Sequence, residues 1–253
     1  MFSWIELGTT DQAGAKSFYT SLLGWTADDS PMGPGEFYTM FRKDGQDLGG
    51  GYTLRPDQRA MHVPPHWMVY IAVENADNTV EKAKQLGGQS FTGAFDVMEH
   101  GRMAVLSDPT GAVFSIWQAK QHAGMGATGG EGEFCWADLN TDDPQRAGEF
   151  YSQLFGWHLE KGENDAQSGY LHIKCGEQYI GGIPPARPRE AGVPPHWLVY
   201  FHVSDCDVFS DKAKSLGANV CYGPVTMENV GRFSIVADPL GAVFSLFQPM
   251  RKS

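Results

Sequence analysis

The sequence predicts an α+β fold written twice in tandem. Three observations predict it. Motif blocks recur at a domain-sized interval: Trp4-Ile5-Glu6-Leu7 returns 132 positions on as Trp136-Ala137-Asp138-Leu139. Pro64-Pro65-His66-Trp67-Met68-Val69-Tyr70 returns 130 positions on as Pro194-Pro195-His196-Trp197-Leu198-Val199-Tyr200, with a two-residue deletion between. Within each copy, short runs with the period of a strand alternate with helix-length segments that carry start and stop signals. Modules therefore run over 2–120 and 133–249. Gln121–Gly132, with Gly124, Gly126, Gly129, Gly130 and Gly132, reads as a flexible linker by composition.

The elements of the first module follow in order. Phe2–Gly8 alternates, with Ile5 and Leu7 on one face and Trp4 and Glu6 on the other, as a strand requires. Thr10 or Asp11 caps a helix that runs to about Leu23 and is closed by Gly24. The Pro/Gly-rich stretch Ser30–Gly35 reads as a surface loop, as does Pro184–Pro195 in the second copy. Phe37–Arg42 and Gln46–Thr53 form a hairpin around Asp44-Gly45. His66–Val73 is a strand with His66, Met68 and Tyr70 on one face; Trp67, Val69, Ile71 and Val73 point to the helical side as core. Asp77–Leu86 is a helix ended by Gly87. Arg102–Ser107 and Ala112–Gln118 pair across the Asp108-Pro109-Thr110-Gly111 turn, whose copy is Asp238-Pro239-Leu240-Gly241. On this count each module is βαββ followed by βαββ.

Composition narrows the function classes. A formal net charge of -11 argues against nucleic acid and anionic membrane surfaces as partners. No apolar run approaches the roughly 18 residues of a membrane span, and the first residues carry no basic leader. Cys135, Cys175, Cys206 and Cys221 have neither zinc-knuckle nor disulfide spacing and read as buried reduced thiols, which points to a cytoplasmic chain.

The ordered motifs Asp11…Phe18-Tyr19…Leu23-Gly24 and Asp108-Pro109-Thr110-Gly111, each present twice, resemble the vicinal-oxygen-chelate (glyoxalase/bleomycin-resistance/dioxygenase) superfamily over essentially the whole chain outside the linker. The resemblance implies two domains, each of two βαβββ units with some short strands, and curled mixed sheets that form cups. It also implies a divalent metal held by His, Glu or Gln at four strand positions. Those positions fall at Trp4, near Gly50, at Met68 and at Ser115 in the first module, and at Trp136, near Gly182, at Leu198 and at Ser245 in the second. None carries a strong ligand, so the cups are expected to be apolar and aromatic and to take no metal.

Strand alternation adds Glu6, Asp138, His66, His196, Tyr70 and Tyr200 to the same faces. The family's habit of sharing a site between modules suggests one cup from Trp4, Glu6, Gly50, His196, Leu198, Tyr200 and Ser245. Its counterpart would combine Trp136, Asp138, Gly182, His66, Met68, Tyr70 and Ser115. Each feature has a plain alternative. The tryptophans can be core. Glu6 and Asp138 can be general bases or loop anchors. His66 and His196 can cap backbone carbonyls, and Gly50 and Gly182 can mark bulges. Arg102 and Arg232 read as salt-bridge residues. Three readings stay open: a metal-independent binder of a small hydrophobic or aromatic molecule; an enzyme, metal-free through Glu6 or Asp138 or metal-dependent through displaced ligands such as His66 and His196; and a scaffold without pocket function. The fused pair is compatible with a monomer or a homodimer.

Overall fold

The computed structural model describes residues 1–162, 169–186 and 192–250. The first repeat contains β1 (Phe2–Thr9), α1 (Gln12–Leu23), β2 (Thr26–Gly33), β3 (Glu36–Lys43), β4 (Gln46–Thr53) and the short α2 (Pro56–Ala60). It continues with β5 (His66–Ala72), α3 (Ala76–Gln85), β6 (Gln89–Ser90), β7 (Phe95–Val97), β8 (Gly101–Ser107) and β9 (Val113–Ala119). The second contains β10 (Phe134–Asn140), α4 (Pro144–Phe155), β11 (His158–Glu160), β12 (Leu171–Cys175) and β13 (Gln178–Ile183). It ends with β14 (His196–His202), α5 (Cys206–Ser215), β15 (Asn219–Met227), β16 (Gly231–Ala237) and β17 (Val243–Pro249).

The chain divides into two compact units that do not follow the repeats. Met1–Ser3, Met68–Gly124 and Trp136–Leu198 make the first, and Trp4–Trp67, Met125–Cys135 and Val199–Ser253 the second. Each unit takes most of the first half of one repeat and most of the second half of the other. In the second unit β2, β3 and β4 are antiparallel neighbours and β4 runs parallel to β1. In the first, β11, β12 and β13 repeat that order against β10.

The strands β2, β11 and β15 raise the strand count and give the βαβββ pattern; the loop expected at Ser30–Gly35 lies largely in β2. That segment, Thr-Ala-Asp-Asp-Ser-Pro-Met-Gly, has no alternation because it is mostly exposed. Its pairing with β3 holds it extended, and an edge strand tolerates Pro31. Part of the loop expected at Pro184–Pro195 lies outside the described residues.

Local signals place the helices. Asp11 Oδ1 accepts from Gly14 N at 3.0 Å and Gly24 ends α1 in the left-handed conformation; Asp143 and Gly156 do the same for α4. The repeated Lys-Ala-Lys motif ties helices together: Lys82 Nζ on α3 donates to Leu154 O at the end of α4, and Lys212 Nζ on α5 to Leu22 O at the end of α1. Both cations thus sit at a helix C-terminus, where the carbonyls need donors.

Each unit has an aromatic core. In the second, Tyr19 stacks on Trp25 and meets Trp67 edge-on, with Phe41, Phe201 and Phe244 around them. In the first, Tyr151, Trp157 and Trp197 repeat the arrangement against Phe2 and Phe114. Each tyrosine hydroxyl accepts from a core indole, and that of Tyr19 is a relay. Trp67 Nε1 donates to Tyr19 Oη at 3.0 Å, and Tyr19 Oη donates to Asp238 Oδ2 at 3.0 Å. Trp197 Nε1 donates to Tyr151 Oη at the same distance. The other oxygen, Asp238 Oδ1, accepts from Leu240 N and Ala242 N, so the Asp-Pro-x-Gly aspartate fastens its turn to a helix.

Two expectations need correction. Composition suggests a flexible linker at Gln121–Gly132, but the segment is pinned: Gly126 N donates to Asp47 O at 2.7 Å, Gly132 N to His202 O at 2.7 Å, and Trp25 Nε1 to Gly132 O at 2.7 Å. All four cysteines are free, but Cys206 alone is fully buried, Cys135 and Cys175 are half-buried and Cys221 is exposed. The first strands start within their own repeats. β1 begins beside β5, with Ala72 N donating to Met1 O at 3.0 Å and Ser3 Oγ to Tyr70 O at 3.4 Å. β10 begins beside β14, with His202 N donating to Glu133 O at 2.9 Å. Each first strand therefore starts alongside the His-Trp strand of its own repeat.

Candidate functional site

In the second unit the relevant face of β1 carries Trp4, Glu6 and Gly8. Glu6 is in register with Gly50 on the parallel neighbour β4. Across β4, the antiparallel β3 places Met40 opposite Gly50 and Tyr38 opposite Tyr52, which makes Tyr38 the diagonal neighbour of Gly50. The tyrosine leans along the strand and fills the space a side chain at Gly50 would use: a Cβ there would come within 3.0 Å of Tyr38 Oη, Cζ and Cε1. From that position Tyr38 Oη donates to Glu6 Oε1 at 2.8 Å and accepts from Trp4 Nε1 at 2.9 Å.

The first unit holds the same cluster on β10, β13 and the residue that leads into β12. Trp136 Nε1 donates to Tyr170 Oη at 2.9 Å and to Asp138 Oδ1 at 3.0 Å, and Tyr170 Oη donates to Asp138 Oδ1 at 2.6 Å. Asp138 is in register with Gly182, whose missing Cβ again leaves the room that the tyrosine hydroxyl takes. The carboxylate is one methylene shorter here and more deeply buried, with 6% of its surface exposed.

Sequence reasoning missed Tyr38 and Tyr170. The signal was present, since they stand 132 positions apart, the same interval as the tryptophans and glycines they join.

The surroundings of the two clusters differ. Around the first, Tyr52 Oη accepts from Gln58 Nε2 at 2.9 Å. Desolvation and the Glu6 charge push both the Tyr38 and Tyr52 phenols above their ordinary pKa, Tyr38 well above, so both stay protonated at neutral pH. The ring of His66 lies against Gly8. Its Nδ1–H donates to Pro64 O at 2.8 Å, which leaves Nε2 as an acceptor in the neutral tautomer. Burial lowers the His66 pKa, which favours that neutral form. Around the second cluster, His172 meets Trp136, Tyr170 and Tyr179 edge-on.

The remaining expected residues spread further. His196 Nδ1 lies 2.9 Å from Pro194 O, the carbonyl-capping role, and Trp4 is buried rather than lining open space. Met68 is half-buried, Leu198 is buried, and Tyr70 packs edge-on against Trp117. Tyr200 sits against Phe233 and Phe247. Ser115 and Ser245 are buried beside Tyr70 and Tyr200 in register, and Ser245 Oγ donates to Ser234 O at 2.9 Å, along the sheet. Arg102 and Arg232 grip Asp77 and Asp207 with two hydrogen bonds each, the structural role expected of them. Two clefts lie away from the clusters: one of about 680 Å³ beside the start of α4, lined by Asp143, Glu149 and Leu159, and one of about 400 Å³ beside the start of α1, lined by Gln12, Lys16 and Asp29.

Comparison with known proteins agrees with this architecture. The family model described as Glyoxalase/Bleomycin resistance protein/Dioxygenase superfamily matches residues 2–116 and again 134–246. A Mycobacterium bovis protein bearing the name glyoxylase CFP32 is 40% identical over 98% of this chain and 94% of its own length. The anthracycline biosynthesis protein DnrV of Streptomyces peucetius is 34% identical over 97% of this chain and 92% of its own. Among solved structures, the Mn(II)-bound glyoxalase of Novosphingobium aromaticivorans superposes with a TM-score of 0.66 at 15% identity, covering 99% of this chain and 82% of that one. The 2,3-dioxygenase LapB of Pseudomonas sp. KL28 superposes equally well, with a TM-score of 0.66 at 13% identity, covering 99% and 92% of the two chains. At such identities the structures speak for the fold, while the family model and the relatives speak for descent: the chain belongs to the glyoxalase/bleomycin resistance protein/dioxygenase superfamily, as two tandem domains of it.

Proposed function

We propose that this chain is a metal-independent binder of a small, flat, largely apolar or aromatic molecule, taken up against the Trp–Tyr–carboxylate clusters. The carrying observation is the place of the tyrosine hydroxyl. A divalent cation needs several imidazole or carboxylate donors converging on one point. Here the first-strand position is an indole, the middle-strand position is a glycine, and a phenol reaches into the space a ligand side chain would occupy. Among the described residues no three His, Cys, Asp or Glu side chains gather to hold a metal ion. The donor set does not fit the group that the fold family implies. What it offers is half-buried aromatic surface with a few fixed polar atoms, the usual make-up of a small-molecule site. The name of the Streptomyces relative, an anthracycline biosynthesis protein, supports a polycyclic aromatic ligand. The net charge of -11 favours a small-molecule partner over nucleic acid.

The test is elemental analysis of untagged protein, before and after incubation with divalent ions, followed by tryptophan-fluorescence titration with bicyclic to tetracyclic aromatic compounds. Absence of bound metal with saturable quenching supports the reading. A stoichiometric metal, or no quenching across the panel, overturns it.

A second reading has its own observation. Glu6 and Asp138 each accept a phenolic hydrogen bond inside the cluster, which makes a tyrosine–carboxylate pair capable of passing a proton to or from a bound molecule. The glyoxylase name of the mycobacterial relative favours chemistry of this kind. Loss of a measured turnover in Glu6→Gln and Asp138→Asn supports it; unchanged turnover removes it.

A further inference from the structure

Two side chains beside the first cluster have their hydrogen-bonding roles fixed by backbone groups, and each keeps one role unspent. Gln58 Oε1 accepts from Arg55 N at 3.0 Å, which sets the orientation of the amide. Gln58 Nε2 therefore faces Tyr52 Oη at 2.9 Å and donates to it. The phenol proton is not used in that bond, and it goes to no other group among the described residues. Pro64 O can only accept, so His66 Nδ1, 2.8 Å away, carries the ring proton. Nε2 of the neutral ring is then an acceptor with no donor on it among the described residues.

Both groups converge on Gly8. Gly8 and Tyr52 are partners in the parallel register of β1 on β4. A Cβ on Gly8 would stand 3.0 Å from His66 Cε1 and 3.2 Å from Tyr52 Oη. A donor and an acceptor thus flank one point on the face of β1 that carries Trp4 and Glu6, and both side chains are half-buried. Desolvation and the Glu6 charge keep the Tyr52 phenol protonated, so its donor role holds at neutral pH. The second repeat carries a different set: 132 positions on, Gly8 becomes Asn140 and Tyr52 becomes Pro184, which has no side-chain donor. His196 keeps the contact with Pro194 O, so the histidine is common to both repeats and the phenol donor belongs to the first.

We propose that the first repeat holds the polar edge of its ligand over Gly8, and that this edge is a cyclic amide: a carbonyl that accepts from Tyr52 Oη beside an N–H that donates to His66 Nε2. The assignment rests on the binder reading above and narrows it to a ligand class and to one repeat. A flat ring meets a donor and an acceptor together only if it carries the complementary pair side by side. A hydroxyl next to a carbonyl bonds to that carbonyl and withholds its proton, whereas the ring of a cyclic amide holds N–H and C=O side by side, both pointing outward. Methylation of the nitrogen removes the donor and strips His66 Nε2 of water without replacing it.

Equilibrium dialysis of the full chain at neutral pH against 2-quinolone and its N-methyl derivative tests this. Both are flat, uncharged and bicyclic, both keep the carbonyl, and they differ in the N–H. The wild-type chain is expected to bind 2-quinolone about tenfold tighter, the factor set by one stranded acceptor. His66→Phe keeps a ring against Gly8 and is expected to bring the two compounds to parity. Tyr52→Phe is expected to weaken both by a similar factor and to leave their ratio unchanged, because both use the carbonyl. Equal binding of the two compounds by the wild type overturns the assignment and leaves the binder reading standing. A preference that survives in His66→Phe overturns the placement at Gly8, and unchanged affinities in Tyr52→Phe remove the phenol from the site. Binding of neither compound overturns the assignment, while the broader aromatic panel decides the binder reading separately. The wild-type comparison needs no variant to fold.

Discussion

Tyr38 and Gly50 occupy one side-chain space between them: the phenol of the first fills the volume that the missing Cβ of the second leaves open. The register of β3 on β4 creates the relationship, and Tyr170 with Gly182 repeats it.

Gly50→Ala therefore drives Tyr38 out of its hydrogen bonds with Trp4 and Glu6 or forces the strands apart. A cost of about 1–3 kcal/mol is expected, as for overpacking elsewhere. In a Tyr38→Ala background the same substitution should cost much less, and a double-mutant cycle by urea denaturation measures the difference. Equal costs in both backgrounds would show that the two residues do not share the space.

The buried relay through Tyr19 makes a second prediction. Tyr19→Phe leaves Trp67 Nε1 without its acceptor and Asp238 Oδ2 without its donor, both in the core. A loss of about 1–3 kcal/mol is expected from the stranded polar groups, against a few tenths for an exposed tyrosine. Thermal denaturation of the variant beside Tyr222→Phe, which changes an exposed residue, gives the comparison.

The pinned segment between the repeats is expected to resist protease. Gly132 has φ of 76°, and a Cβ there would meet Leu23 O. Gly132→Ala combines a left-handed backbone with that contact, and a destabilisation of more than about 1 kcal/mol follows. Limited proteolysis should leave wild-type Gln121–Gly132 uncut while exposed turns are nicked, and should cut it early in the variant.

His66 makes stability depend on pH. Burial lowers its folded pKa below the usual 6.5, so the unfolded chain binds the proton more readily. More protons on the unfolded side mean that stability rises with pH through this range and is lost as pH falls below 6.5. His66→Gln should flatten that part of the curve. Denaturant midpoints measured on both proteins across mildly acidic pH check it, and parallel curves would assign the acid sensitivity to other groups.

Legibility from sequence varied with the range of the interaction. The cap at Asp11, one of the two residues expected, the stop at Gly24 and the Asp-Pro-x-Gly turns are satisfied within a few residues, and they stand where expected. β2 was not legible, because an exposed edge strand keeps no apolar face and extends only when β3 offers it hydrogen bonds. The glycine-rich segment misled for a related reason. Composition reports the freedom of an isolated chain, whereas Trp25 Nε1, Asp47 O and His202 O hold this one by contacts distant in sequence. The resemblance implied Trp4 and Gly50, strand alternation added Glu6 to the face of Trp4, and the parallel register of β1 on β4 sets Glu6 beside Gly50. Tyr38 was passed over because alternation gives the face of a residue and not the neighbour toward which its side chain leans.

The sequence by itself determined the duplication and the order of the helices and main strands within each copy, since these are written in residue identity and spacing. Only the tertiary structure decided what fills the space at Gly50 and Gly182. A glycine states that space is left and not what fills it; that depends on strand register, which brought the hydroxyls of Tyr38 and Tyr170 into the gaps at Gly50 and Gly182 and turned their protons toward Glu6 and Asp138.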